Sequence, residues 1–309
     1  MVLLTQAIYG QVYPVPNGWI NVSGEVISLE SDSTFYSESD FVRYIKDGKY
    51  YFTKLSALSF SSASYEELSD FDNGYAVART EGKWWVIDTS DKKIKQLNCH
   101  FAYGFQEGLA RIQLGNRFGY VNTKGEVAIS VKYYGAYDFS EGRARVYYKG
   151  KWGAIDNQGK FVVKPVYDYM WDFTEGIACV MKQENTDQRW GYIDLNGNKL
   201  IDTKFGYAFP FSNGLGLVRW GDLYTNDIRF IDRSGDVKFK IPYKDIFPYS
   251  DDLACFFENG KWGYLDMEFQ VVLPAIYDRP ADFINGIAGV FLEGQLIYID
   301  KSGKTIWER

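Results

Sequence analysis

The phrase KWGAIDNQGK at Lys151–Lys160 returns as RWGYIDLNGNK from Arg189 and as KWGYLDMEFQ from Lys261. A chain that repeats one phrase must fold as a series of like pieces, because each recurrence sets the same local structure. Aligning on the residue that closes W-G-x-I-D puts Asp88, Asn122, Asp156, Asp194, Asp232, Asp266 and Asp300 in one column, with Asn21 and Lys54 as weaker members. Successive spacings are 33, 34, 34, 34, 38, 38, 34 and 34 residues, so nine copies account for nearly all of the 309 residues.

Other columns hold the same register. Eleven residues after the anchor stand Tyr65, Cys99, Tyr133, Tyr167, Phe205, Tyr243 and Tyr277, and seventeen after it Phe71, Phe105, Phe139, Phe173, Phe211, Tyr249 and Phe283. Three further on come Gly74, Gly108, Gly142, Gly176, Gly214 and Gly286, with Asp252 in the remaining copy. Gly or Asp there fits a turn with positive φ. The next residues alternate, as in Ala144-Arg145-Val146, which is the period of a strand buried on one face. A turn such as Lys149-Gly150 leads back into WGAID, and Asp-x-x-Gly then closes a second turn before a third strand such as Phe161–Val163. Each copy therefore reads as a three-stranded meander.

Such a sheet cannot bury a core of its own, so the aromatic columns must pack against the neighbouring copy. Trp84, Phe118, Trp152, Trp190 and Trp262 are expected to form one ladder of that kind. Composition agrees with an all-β chain: 18% of residues are aromatic and Gly occurs 30 times. The expected architecture is a single domain over residues 1–309, a tandem array of about nine three-stranded antiparallel units. Residues 1–64 are read as degenerate N-terminal capping copies and 65–309 as well-formed ones. Because nine exceeds the usual count of propeller blades, an open solenoid or superhelix is the first reading, and a β-propeller-like ring of seven units the rival.

The pattern G-K-W-G-Y-I-D, then x-x-G-K, an aromatic and F-x-x-G-x-A resembles the bacterial WG repeat, also called the WG β repeat. The resemblance covers about Tyr65 to Glu308 well and the first 60 residues weakly. It implies a β-rich array that binds partners and has no shared catalytic centre. Ile228-Arg229 and Leu296-Ile297 replace the Trp-Gly pair in two copies.

A net charge of −6 lacks the clustered Lys and Arg that nucleic acid or an anionic membrane surface requires. No apolar run approaches the roughly 18 residues that span a bilayer, and the first residues have no basic stretch leading into an apolar one. With three scattered cysteines, Cys99, Cys179 and Cys255, a reducing, cytoplasmic setting is expected. The one histidine, His100, lies beside Cys99 on a strand, where neighbours face opposite ways, so a Cys–His pair is excluded. His100 stands in the column of Glu66, Asp168 and Asp278 and is expected at a surface or turn. The recurrent aspartates are assigned to turns. No cofactor, metal or catalytic residue is expected, and the chain reads as a non-enzymatic scaffold.

Function should gather where a copy departs from the pattern. Both 38-residue copies carry extra residues in the same hairpin loop, giving Gln183, Glu184 and Asp187 in one and Asp222, Tyr224 and Asp227 in the next as candidates for partner contact. A second candidate is the outward position read as Val77, Arg111, Arg145, Cys179, Leu217, Cys255 and Gly289, where Arg111 and Arg145 would make a local cationic spot. The expected partner is a protein, with a carbohydrate or cell-wall glycan as the alternative.

Overall fold

The computed structural model describes residues 12–15, 18–21, 23–36, 40–57, 59–221 and 227–308. Among these the chain is all-β apart from one short 3-10 turn, and it forms nine antiparallel sheets in tandem, seven of four strands and two of three. The expected meander is present throughout. In the third copy it is Tyr75–Thr80, Lys83–Asp88 and Lys93–Leu97, and a two-residue strand, Glu67–Leu68, is added along its first edge. That short strand was not legible in the sequence, since two residues carry no periodicity.

Backbone contacts divide the chain into two compact bodies. One holds the described residues up to Phe139 with Asn157–Gly159, and the other holds Ser140–Asp156 and everything from Lys160 on. Each contains cores that belong to two copies at once. In the N-terminal body Val77, Trp84 and Val86 of copy 3 pack with Phe105, Ala110 and Ile112 of copy 4. In the C-terminal body Cys179, Trp190 and Tyr192 of copy 6 pack with Phe211, Val218 and Ile231 of copy 7. All seven members of the Phe71-to-Phe283 column are buried, each contributing about 1.5–3 kcal/mol. The borrowed interior read from the sequence is thus observed.

The tryptophans are bridged rather than stacked in one ladder. Trp152 meets Tyr169, Tyr169 meets Trp190 and Trp190 meets Tyr207, with ring centroids 6.1, 5.8 and 4.9 Å apart. Trp84 instead donates its indole N–H to the His100 carbonyl at 3.0 Å.

The glycine of the W-G pair has a steric cause. A Cβ on Gly119 or Gly191 would lie 2.6 Å from the carbonyl oxygen of Ile129 or Ile201 in the next strand. Where this glycine is present that strand bulges, the register jumping between Phe118 and Tyr120 and between Trp190 and Tyr192. The copies with Trp85, Arg229 and Ile297 at this position pair there without a jump.

The second predicted glycine column holds too. Gly74, Gly108, Gly142, Gly176, Gly214 and Gly286 have φ between 73° and 86°, and Asp252 accepts φ 67° in the same place. The residue before each also has positive φ, as with Glu141 at 54° and Asn213 at 53°, which is the pattern of a type I′ hairpin turn. The acid of that turn reaches forward: Glu141 accepts from Gly176 N–H at 2.8 Å, and Glu175 from Gly214 N–H at 2.9 Å.

Candidate functional site

The recurrent polar residues have structural employment. Asp194 Oδ1 accepts the amides of Asn196 and Asn198 at 2.9 and 2.8 Å, and Asp300 holds those of Ser302 and Lys304 in the same way. Asn21 does likewise with Ser23 and Glu25, which makes it a full member of the anchor column. His100 Nδ1 accepts the Gly115 amide at 3.0 Å, the task done by Glu66 for Gly82 and by Asp278 for Gly294. Burial pushes the Cys99 thiol up to about 11 and, with a smaller push from Asp282, the Cys255 thiol up to about 12, far from the thiolate a nucleophile needs.

The Arg111 and Arg145 column is not outward. Val77, Cys179, Leu217 and Cys255 are buried and Arg145 is 4% exposed. The physical reason is that a strand alternating as Ala144-Arg145-Val146 is covered on both sides, all three residues being buried. Neither arginine forms part of an exposed cationic spot.

Each arginine instead clamps the following copy. Arg145 Nε donates to Asp172 at 2.7 Å and Nη1 to the Met170 carbonyl at 2.6 Å. Arg111 donates to the Ala136 carbonyl, lies 3.2 Å from Asp138 and covers the Tyr103 ring at 3.9 Å. Arg43, one column member the sequence reading missed, does the same with the Leu68 carbonyl at 3.0 Å, Asp70 at 2.6 Å and the Phe35 ring at 4.3 Å. The acceptors lie 25 and 27 residues beyond the arginine in every case. That spacing is a signal the sequence carried: Gly104, Pro210 and Pro248 occupy the acid column where Val77, Cys179 and Leu217 replace the arginine.

Where the clamp is missing, space opens. In the N-terminal body a cavity of about 370 Å³ is lined by Ser69 and Val77, which hold the ring and arginine positions of copy 3, and by Gly104, which holds the acid position of copy 4. Arg43, Glu67, Asp70 and Asp138 line it too, with Trp84 and Tyr103 as aromatic faces. In the C-terminal body a cavity of about 290 Å³ is bounded by Leu217 and Ile246, again clamp positions, and by Phe209, Phe247 and Trp262, with Arg219 and Asp245 also lining it.

The first lengthened hairpin is strand rather than loop, Ile177–Glu184 pairing with Asp187–Asp194 as far as Glu184 opposite Asp187. Gln183 and Asp187 are exposed on it. In the neighbouring copy Asp227 is held by Arg229 through contacts of 2.9 and 2.6 Å, while Asp222 and Tyr224 lie outside the described residues. The two lengthened segments meet, Arg189 donating to the Gly221 carbonyl.

A profile of the WG containing repeat matches residues 62–84, 86–118, 118–152, 152–185, 190–224, 228–262 and 262–295. The chain belongs to the WG-repeat family. The resemblance drawn from the W-G motif is therefore borne out, and this WG-repeat array extends to two further sheets before the first match. No curated protein sequence matches it. Among solved structures, a crystal structure of a eukaryotic initiation factor is 13% identical with a TM-score of 0.64, covering 97% of this chain and 96% of that one. The dihydro-heme d1 dehydrogenase NirN shares 11% identity with a TM-score of 0.47, over 88% of this chain and 75% of its own. Hsv2p of Kluyveromyces lactis shares 10% identity with a TM-score of 0.41, over 74% and 89%. The first likeness is one of fold. Among the described residues no three His, Cys, Asp or Glu side chains are grouped to hold a metal, and no helix is long and apolar enough to cross a membrane.

Proposed function

We infer that this WG-repeat chain is a non-enzymatic scaffold that binds a protein partner along the two lengthened hairpins. The observation that carries this is their contact, Arg189 to the Gly221 carbonyl, which joins two departures from the repeat into one edge with Gln183 and Asp187 exposed. Loops and hairpin tips that break a repeat pattern are where such arrays vary their contacts. The anchor aspartates are committed to turns and the thiols are raised by burial, which supports a binding role over a catalytic one. Three free thiols support a reducing, cytoplasmic setting.

The test replaces residues 183–188 by Asn-Gly, the length of the shorter hairpins, and compares co-purified partners from the native source. Loss of a partner with unchanged thermal unfolding supports the reading, whereas retention of every partner overturns it. One observation favours a glycan as the second reading: Phe247 is 43% exposed beside Trp262, ring centroids 5.3 Å apart, in the C-terminal cavity. Oligosaccharide binding that Trp262→Ala abolishes would select it.

A further inference from the structure

We propose that the cavity at Ser69, Val77 and Gly104 receives the guanidinium of an arginine side chain offered by a partner. The N-terminal body shows twice how it holds that group. Arg43 and Arg111 each lie over a ring eight residues earlier and reach a carbonyl and a carboxylate of the following copy. At the junction of copies 3 and 4 three side chains of this arrangement are missing together, the ring becoming Ser69, the arginine Val77 and the acid Gly104, and the strand that carries the acceptor positions, Phe101–Gln106, is longer than Glu67–Leu68 and Gly135–Ala136 at the two clamps. The space left, about 370 Å³, falls within the roughly 300–1,000 Å³ of small-ligand sites. A cavity made by one lost side chain would tend to collapse or dry out; this one is polar on most sides.

Its acceptor groups favour a ligand with many donors. The ionisable lining is three carboxylates, Glu67, Asp70 and Asp138, against one guanidinium, Arg43. Each carboxylate already meets an arginine, but their side chains are 46, 53 and 41% exposed. A carboxylate offers about four acceptor positions, so each retains capacity toward the cavity and solvent. Trp84 and Tyr103 also line it, the Tyr103 ring already carrying Arg111 on one face, and an aromatic wall favours a planar, weakly hydrated guanidinium over the compact ammonium of lysine. The site lies in the other body from the lengthened hairpins, so it stands or falls independently of the partner assigned to them.

The test titrates the full chain with the peptides Gly-Arg-Gly, Gly-Lys-Gly and Gly-citrulline-Gly, following the Trp84 indole N–H resonance. The expected result is a saturable shift with the arginine peptide and at least fivefold weaker binding of the other two. Val77→Arg fills the cavity from within and should weaken the arginine peptide at least tenfold. Should that variant not fold, Val77→Lys, which brings a cation into the cavity on a slimmer side chain, serves the same purpose. The proposal is overturned by no saturable shift, by equal binding of lysine or citrulline peptides, by undiminished binding in a folded cavity-filling variant, or by an oligosaccharide that outcompetes the arginine peptide.

Discussion

Copies 3 and 4 of the N-terminal body repeat one meander, and beyond the bulge at Gly119 and the longer edge strand of copy 4 they differ at one place between sheets. In copy 4 Arg111 joins Tyr103, Ala136 and Asp138 into a closed contact, whereas in copy 3 Val77 leaves the equivalent position open as a polar cavity. The difference teaches that the clamp is optional for the fold. Apolar packing of Trp84, Val86, Phe105 and Ile112 holds the two copies together without it. A repeat can therefore give up a polar contact at one junction and retain its architecture, and the relinquished place becomes available for binding.

The comparison can be broken most sharply in the C-terminal body. Arg145→Ala leaves Asp172 and the Met170 carbonyl without their donor at a buried position, and should cost about 2–4 kcal/mol in urea unfolding. Asp172 keeps access to water, which holds the loss below that of a fully enclosed pair. Gly191→Ala asks whether the strand bulge is as dispensable as the clamp: overpacking against Ile201 should cost about 1–3 kcal/mol, while Trp85→Ala in a copy without the bulge should leave the register intact by amide exchange. Arg43→Ala comes next at about 1 kcal/mol, because its partner Asp70 is 53% exposed and returns to water. If Arg43→Ala proves as damaging as Arg145→Ala, the clamp matters through more than burial.

The smallest effect concerns a feature that both kinds of copy possess. Asp232 is held down to about 2, first by the hydrogen bond from Lys238, against burial, and then by Ser234 and the turn amides. Its folded value lies below the ordinary 3.8, so its contribution is present above that value and is lost as pH falls toward about 2. Lys238→Met should move the lower end of this window upward in an acid titration of stability.

The columns at Phe173 and Gly176 disclosed the fold because each encodes its own local requirement, a ring to bury or a positive φ to satisfy. Arg145 was misread for the opposite reason. A strand with alternating residues looks half-exposed when taken alone, and only cover on both sides buries the second set. The cavity was hidden more deeply, since Ser69, Val77 and Gly104 come from different strands or turns and announce themselves by what they lack. The Arg-to-Asp interval shared by Arg43, Arg111 and Arg145 would have revealed the clamps, had the column been read forward into the next copy. The hairpin at 183–188 was legible as an insertion but not as strand, because Asn185 and its φ of 57° close a turn that the polar sequence around it conceals.

The forward reach of the turn acids, Glu141 to Gly176 and Glu175 to Gly214, gives the C-terminal body a direction. During synthesis a copy emerging from the ribosome cannot complete that bond until its successor follows.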